Sequence, residues 1–336
     1  MLAQEVELDT ILVTGGAGFI GANLVATLLA AGRFRVAVCD RLDHPDKANN
    51  VARDKLAALV APEELSTYID RDGSRIAAIC HLGAISSTTE RSWERLQRDN
   101  IDATLALWDW CARARVPLVY ASSAATYGDG AAGFDDEFAL AALERLQPLN
   151  LYGRSKHETD REIFRRLAAG EQAPPQWAGL KFFNVYGPHE THKGDMRSIV
   201  CKLYEQIRDD GVARLFRSAH PDYQDGGQLR DFIWVGDCVD VILWLLANPR
   251  VGGLFNVGTG APRSFLDAAR ATFAAMGREP RIEFVDMPLS LRGKYQYYTR
   301  AETARLRGAG YDRPFTELED GVRRYVREFL DRQDRP

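Results

Sequence analysis

The sequence has 336 residues, of which 46% are hydrophobic and 27% are charged, the composition of an ordinary globular protein. Lys and Arg number 43 against 47 Asp and Glu, so the net charge is −4, which excludes a protein that coats nucleic acid through bulk basic charge. Any anionic ligand must therefore meet a few local cations. At ~150 residues per domain, the length predicts more than one structural unit.

Targeting signals and disulfides are not expected. No apolar run approaches the ~20 residues that cross a bilayer, and residues 1–7 are acidic where a signal peptide would be basic. The five cysteines are widely spaced and form no Cys-x-x-Cys pair. They are Cys39, Cys80, Cys111, Cys201 and Cys238. We expect buried, reduced thiols and a cytoplasmic location.

Short, continuously apolar runs alternate with helical patterns through the first 185 residues. The predicted strands cover residues 10–13, 35–40, 75–80, 117–121 and 180–183. Such runs are typical of parallel strands covered by helices on both faces. The pattern between about residues 50 and 72 is ambiguous. We predict an α/β fold with a doubly wound parallel sheet of the Rossmann type.

The second half of the chain is less regular. Shorter helices are predicted over residues 237–247, 264–276 and 316–332, separated by polar loops. We predict a dinucleotide-binding domain over 9–185, with a later crossing segment near 231–258. A smaller α/β substrate-binding cap is expected over 186–332.

A glycine-rich turn links the first predicted strand to a helical pattern over residues 22–31. It reads Gly15-Gly16-Ala17-Gly18-Phe19-Ile20-Gly21. Glycine permits a tight turn and lets backbone N–H groups approach a pyrophosphate at the positive end of a helix. The alternative is a turn that merely packs. Its place between a strand and a helix favours the dinucleotide site.

The end of the second strand bears on the choice of dinucleotide. Asp40 lies nineteen residues after Gly21, where an acidic residue usually binds the ribose hydroxyls of NAD. Arg41 and Lys47 could instead hold the 2′-phosphate of NADP. Arg41 could also be a solvated charge. We favour NADP, with NAD possible.

A catalytic group is predicted from two further segments. The strand over 117–121 leads into Ser122 and Ser123, and Tyr152 stands four residues before Lys156. On a helix, that spacing places the two side chains on one face. A neighbouring ammonium favours the phenolate, so Tyr152 could act as a base while a serine holds the same substrate oxygen.

From residue 12 to about 325 the chain resembles the extended short-chain dehydrogenase/reductase family, which includes NAD-dependent epimerases and dehydratases. The resemblance implies a Rossmann domain with a C-terminal substrate domain, a nucleotide-sugar substrate, and a Ser/Tyr/Lys catalytic group. Matched onto this sequence, that group is Ser122 or Ser123 with Tyr152 and Lys156.

Further strings resemble the branch of this family that inverts C6 of an ADP-linked heptose. The discriminating ones are Ser86-Ser87-Thr88-Thr89-Glu90 and His192-Lys193-Gly194. Others are Phe183-Asn184-Val185-Tyr186-Gly187-Pro188, Arg230-Asp231-Phe232 and Gly293-Lys294-Tyr295-Gln296. This resemblance implies bound NADP, a role in lipopolysaccharide inner-core synthesis, and a homo-oligomer, commonly a pentamer. It also makes Lys193 a second acid/base, although loop lysines are mostly exposed.

The resemblance also implies contact residues. For the cofactor these add Leu82, Gly83, Ala84 and Asn100. For the substrate they are Ser86, Asn184, Lys193, Asp195, Lys202, Phe216, Arg217, Arg230 and Tyr295. The sequence departs from the family pattern where Leu82 replaces a usual Glu and Lys181 a usual Arg. The loop over 219–227 is also longer than the family's.

Two other functions remain open. One is a nucleotide-sugar epimerase or dehydratase acting at C4, although Ala124 and Ala125 stand where dehydratases usually carry an acidic pair. The other is a non-catalytic dinucleotide-binding protein. His189 and His192 lie three residues apart, but no carboxylate or cysteine cluster completes a site, so no metal is expected.

Overall fold

The structure, a computed structural model, describes residues 9–135, 139–288 and 295–333, so the acidic residues 1–7 lie outside it. The strands are β1 Thr10–Thr14, β2 Arg35–Cys39, β3 Ala58–Val60, β4 Ile76–His81, β5 Leu118–Ser123, β6 Trp177–Phe182, β7 Asn184–Tyr186, β8 Ala213–Phe216, β9 Leu229–Arg230, β10 Phe232–Trp234, β11 Gly253–Val257, β12 Arg263–Ser264 and β13 Ile282–Val285. The α-helices are α1 Phe19–Ala31, α2 Pro45–Ala48, α3 Leu65–Asp72, α4 Trp93–Leu96, α5 Ala103–Ala114, α6 Leu140–Leu143, α7 Leu151–Ala168, α8 Ile199–Asp210, α9 Val235–Ala247, α10 Phe265–Ala275, α11 Ala304–Gly308, α12 Leu318–Arg324 and α13 Asp331–Gln333.

Seven strands form one parallel sheet in the order β11-β6-β5-β4-β1-β2-β3. The chain reverses its direction of progress across the sheet between β1 and β4. In an open parallel sheet such a reversal leaves a crevice at the carboxyl ends of the strands, where ligands bind. The predicted doubly wound α/β sheet is confirmed.

Apolar residues on both faces of the strands explain this arrangement. One face packs against α1 and α9 through a cluster that includes Leu24, Val25 and Val241. The opposite face packs against α5 and α7 through residues such as Trp108 and Ile163. Because helices cover both faces, the strands have no polar side and their sequences do not alternate.

The structure corrects several predicted boundaries. The strand predicted over 180–183 begins three residues earlier, at Trp177. The ambiguous stretch contains β3 and α3, and β3 is a three-residue edge strand beside β2, too short to give a sequence signal. The helix predicted over 316–332 is divided, because a π-helical turn, Tyr325–Leu330, joins α12 to α13.

A second apolar cluster lies beyond the sheet. It joins α8, α10 and α12 through side chains that include Leu203, Phe273 and Val322. β10 pairs in parallel with β7 beside this cluster, whereas β11, later in the chain, returns to the large sheet. The second half of the chain therefore contributes both to this second cluster and to the large sheet.

The sequence predicts buried, reduced cysteines and no membrane-spanning segment. All five cysteines are buried and carry no disulfide. Within the described ranges, no helix is both long enough and apolar enough to cross a bilayer.

Candidate functional site

A cavity of about 1060 Å³ extends from the carboxyl ends of the central strands to α8 and β8. It brings together most of the residues predicted from sequence. These are Gly15, Gly18, Phe19, Ile20, Gly21, Asp40, Lys47, Leu82, Gly83, Ala84, Ser86, Ser122, Ser123, Tyr152, Lys156, Asn184, Lys193, Lys202, Phe216, Arg230 and Tyr295. Arg41, Asn100, Asp195 and Arg217 are not among its lining residues.

The glycine-rich turn is built for close backbone approach. Gly15 has φ +67°, and a Cβ there would lie 2.5 Å from the backbone N of Gly83. A Cβ on Gly21 would lie 2.0 Å from the carbonyl oxygen of Gly15. Helix α1 starts at Phe19 with no side chain capping its N-terminus. These features fit a pyrophosphate held by backbone N–H groups and the helix dipole.

Asp40, Lys47 and Arg41 differ in their orientation. The Asp40 carboxylate accepts a hydrogen bond of 2.9 Å from the N–H of Ala17 and pairs with Lys47. Lys47 lines the cavity. Arg41 instead pairs with Glu63 at the surface, where its side chain is half exposed. Lys47 is therefore the better placed of the two cations for a cofactor phosphate.

Tyr152 is fixed by the start of α7. The Asn150 side chain caps the helix by accepting a hydrogen bond of 2.8 Å from the N–H of Gly153. A Cβ on Gly153 would lie 2.6 Å from the carbonyl oxygen of Ala125, so glycine allows the helix to pack closely on the turn after β5. Burial raises the pKa of Tyr152, and a hydrogen bond with Ser123 opposes that rise.

The two candidate serines point to different partners. Ser122 donates a hydrogen bond of 2.7 Å to the buried carboxylate of Asp160. Ser123 caps the next turn through the N–H of Ala125, at 3.1 Å, and interacts with Tyr152. Both serines line the cavity, but the Ser122 hydroxyl is engaged by Asp160, whereas the Ser123 hydroxyl is the one that interacts with Tyr152. The geometry favours Ser123.

Lys156 and Asp160 continue the face of α7 that carries Tyr152, at four-residue intervals. Burial lowers the pKa of Lys156 to about 8, and the negative charge of Asp160 opposes that change. Asp160 has no exposed surface. Sequence reasoning missed Asp160, although its spacing eight residues after Tyr152 could have indicated it.

Lys193 belongs to a short 3-10 turn, Thr191–Met196, on the cap side of the cavity. Its ammonium lies 5.0 Å from the centre of the Phe19 ring, next to the glycine-rich turn. Burial lowers the pKa of Lys193, and Glu190 opposes that change. The lysine is thus half-buried beside the cavity rather than fully solvated in a surface loop.

Of the two neighbouring histidines, His192 lines the cavity and His189 makes a structural contact. His189 lies 3.1 Å from the Asn50 side chain through Nδ1, and the Asn50 amide donates to the carbonyl oxygen of Ala17 at 3.0 Å. Asn50 thereby connects the glycine-rich turn to the segment before Lys193. Among the described residues, no three His, Cys, Asp or Glu side chains are grouped to hold a metal ion.

Asn100, although outside the cavity, supports its floor. It lies in a π-helical turn, Gln97–Asp102, between α4 and α5. Its side chain accepts a hydrogen bond from the N–H of Ile85 and donates one to the carbonyl oxygen of the same residue. It also donates a hydrogen bond of 2.9 Å to the Ser155 hydroxyl. It therefore ties the loop after β4 to α7.

Arg230 supplies a cation at the far end of the cavity. It is buried, and its guanidinium lies 5.2 Å from the Tyr295 ring and 5.5 Å from the Phe265 ring. Lys202 also lines this end and donates 2.7 Å to the backbone carbonyl of Asp195. These two cations suit a diphosphate.

Two predicted substrate residues and part of one motif lie elsewhere. Arg217 points outward to Asp286, with 3.3 Å between Nη1 and Oδ1. The Asp195 side chain is exposed. Gly293 and Lys294, from the string before Gln296, lie outside the described residues. In the long 219–227 loop, the N–H of Ala219 donates to the Tyr297 hydroxyl at 3.2 Å.

Comparisons with known proteins agree with this geometry. The sequence model of the NAD dependent epimerase/dehydratase family matches residues 11–258. The chain is 49% identical over 328 residues to the ADP-L-glycero-D-manno-heptose-6-epimerase of Nitratidesulfovibrio vulgaris (strain DP4), covering 95% of this chain and 97% of that protein. It is 39% identical to the enzyme of the same name from Fusobacterium nucleatum, covering 96% and 99%.

Solved structures show the same likeness. The Helicobacter pylori ADP-L-glycero-D-manno-heptose-6-epimerase superposes with a TM-score of 0.79 at 25% identity, covering 97% of this chain and 98% of that one. A Thermus thermophilus UDP-glucose 4-epimerase in complex with NAD superposes with a TM-score of 0.72 at 26% identity, covering 96% and 99%.

Proposed function

This chain belongs to the NAD dependent epimerase/dehydratase family, and we propose that it inverts C6 of ADP-D-glycero-D-manno-heptose to give ADP-L-glycero-D-manno-heptose. The observation that carries this proposal is the pairing of Tyr152 and Lys193 in one cavity. Tyr152 lines it from α7, and Lys193 lines it from the cap. Inversion through a ketone requires proton transfer in two orientations of the sugar, and two separate acid/bases meet that need.

The residues divide the chemistry between them. When bound, the nicotinamide supplies the hydride acceptor and donor for the carbon that is inverted. One acid/base removes the proton from the C6 hydroxyl oxygen as the ketone forms. After the sugar turns, the other returns a proton to that oxygen, so the reaction is an isomerisation with no net oxidation. Ser123 holds the oxygen, and Lys156 favours the Tyr152 phenolate.

We propose NADP as the cofactor, with Lys47 holding the 2′-phosphate. Lys47 lines the cavity, whereas Arg41 is engaged by Glu63. NAD is the alternative, in which Asp40 would contact the ribose hydroxyls. Denaturing the purified protein and identifying the released dinucleotide by mass spectrometry decides between them. Release of NAD alone would contradict this assignment.

For the substrate, we propose that Arg230 and Lys202 hold the diphosphate. Arg230→Lys should raise KM more than it lowers kcat, because a lysine loses the planar, multi-donor geometry but keeps the charge. A fall in kcat with an unchanged KM would contradict a binding role. Steady-state kinetics with the ADP-heptose distinguish the two.

The structure of the product distinguishes the proposed inversion at C6 from a rival activity at C4. Incubation with the ADP-heptose and NMR of the product should show inversion at C6.

The family resemblance also favours a cytoplasmic homo-oligomer, commonly a pentamer, acting in lipopolysaccharide inner-core synthesis. Sedimentation equilibrium of the purified protein tests the oligomeric state.

A further inference from the structure

Glu190 is a buried carboxylate three residues before Lys193. It has no exposed surface. The Ser198 hydroxyl donates a hydrogen bond of 2.6 Å to it, and the Ser198 N–H donates a second. The Tyr325 hydroxyl donates a third, at 3.0 Å. A buried carboxylate is costly unless it is paired or hydrogen-bonded. Burial raises the pKa of Glu190, and the hydrogen bonds from Ser198 and Tyr325, with the charge of Lys193, oppose that rise and favour the anion.

These donors connect Glu190 to two other elements. Ser198 caps α8, accepting 3.3 Å from the N–H of Cys201. Tyr325 is the first residue of the π-helical turn between α12 and α13, and such turns frequently mark functional sites. The backbone carbonyl of Glu190 accepts 3.0 Å from the N–H of Lys193. Glu190 thus joins the Lys193 turn to the cap helices.

Charged and titratable groups lie on both sides of this pair. Tyr325 and Cys201 face Glu190 from one side, and Arg197 and Glu205 act on Cys201 there. On the other side, Lys193 faces the Phe19 ring and lies near His192, which is also close to Lys47, His44 and Asp40. Among these groups, Glu190 is the carboxylate that favours the charged form of Lys193.

We propose that Glu190 is a positioning residue that holds the Lys193 turn in place and keeps the Lys193 ammonium charged between turnovers. The inference rests on the proposed function, in which Lys193 exchanges a proton with the sugar oxygen. A carboxylate at this position opposes the loss of charge that burial causes. Lys193 therefore remains an effective proton donor inside a partly apolar pocket.

The test measures the Lys193 proton without using turnover. Trace acetylation of the folded protein with acetic anhydride across pH, followed by peptide mass spectrometry, gives an apparent pKa for Lys193. In Glu190→Gln this pKa should fall, because burial remains and the negative charge is gone. A structural role alone predicts the opposite sign, since a loosened turn would expose Lys193. An unchanged or raised pKa overturns the proposal.

Tyr325→Phe is the matched control, because it removes one hydrogen bond to Glu190 but leaves the charge. Its Lys193 pKa should stay at the wild-type value. An equal fall in both variants would overturn the electrostatic role. Should Glu190→Gln fail to fold, Glu190→Asp withdraws the carboxylate by one methylene. The pKa of Lys193 in Glu190→Asp should then be lower than in the wild type, because the carboxylate lies farther from the ammonium. An unchanged pKa overturns the proposal.

Kinetics provide the second readout. The limb of the kcat/KM pH profile assigned to Lys193 should shift to lower pH in Glu190→Gln, and kcat at neutral pH should fall about tenfold, a fraction of a general acid's usual contribution. A profile superimposable on wild type would overturn the proposal. Absence of epimerase activity in the wild type would instead contradict the proposed function, and the acetylation result would stand independently.

Discussion

Asp160 and Lys181 form an ion pair of 3.2 Å in which neither side chain has any solvent exposure. Asp160 also accepts 3.1 Å from the Tyr120 hydroxyl, and Lys181 donates 2.7 Å to the Thr126 hydroxyl. The pair connects α7 to β6 below Tyr152. It therefore joins α7 to the sheet, and the negative charge of Asp160 also acts on Lys156.

Breaking this pair should be costly. Lys181→Met leaves the Asp160 carboxylate buried without its cation, so the free energy of unfolding should fall by about 3–5 kcal/mol. Urea unfolding measures it. Arg71→Met is the control, because Arg71 pairs with Asp72 at the surface, where the loss should be within about 1 kcal/mol. Equal losses in the two variants would contradict the account.

Replacing each serine should affect a different property, catalysis for Ser123 and stability for Ser122. Ser123→Ala should lower kcat about 10²–10³-fold, the usual effect of removing one hydrogen-bond donor to a reacting oxygen. Ser122→Ala should leave kcat within a few-fold of wild type but lower the free energy of unfolding by about 1–3 kcal/mol, because Asp160 loses a buried donor. The reverse pattern would assign the catalytic hydroxyl to Ser122.

Gly21 tests the cofactor cradle. A methyl group in Gly21→Ala would lie 2.0 Å from a backbone oxygen, so the turn must shift. We expect a loss of about 1–3 kcal/mol in stability and depletion of the dinucleotide that copurifies. Gly308→Ala, in α11, meets no atom within 4 Å and serves as control. Full cofactor content in Gly21→Ala would contradict this role for the turn.

Acid stability should depend on His81. Its ring is buried between the hydroxyls of Thr14 and Thr104, at 2.6 and 3.0 Å. Burial, with a smaller effect from Lys156, lowers the pKa of His81 to about 3. The unfolded chain binds this proton near pH 6.5, so the native state loses stability as pH falls from about 6.5 toward 3, at up to about 1.4 kcal/mol per pH unit.

In His81→Gln the loss of stability per pH unit should be smaller by up to about 1.4 kcal/mol, because unfolding no longer binds the His81 proton. Urea unfolding at several pH values between 3 and 7 measures it. An unchanged slope in His81→Gln would show that His81 does not titrate differently in the folded and unfolded states.

Local sequence predicts much of this molecule. The parallel sheet follows from short apolar runs that are covered on both faces. The glycine-rich turn and the Tyr152/Lys156 spacing are contained within a few consecutive residues, so they need no tertiary information. The edge strand β3 was missed because three residues carry too little periodicity.

What sequence reasoning missed depends on contacts between distant segments. The choice between Ser122 and Ser123 is decided by a helix residue 38 positions later, Asp160. Arg41 is diverted from the cofactor side by Glu63, 22 residues away. Tyr325 reaches Glu190 across 135 positions. Pairings of this kind form only when separate elements pack, and no local spacing encodes them.

The central claim is that Tyr152 and Lys193 invert C6 from two sides of one cavity. The most direct test incubates the purified protein with ADP-D-glycero-D-manno-heptose and determines the configuration at C6 by NMR. We expect a mixture of the two C6 epimers with wild-type protein and a rate at least about 10²-fold lower with Lys193→Ala. Unchanged substrate, inversion at another carbon, or full activity of Lys193→Ala would contradict it.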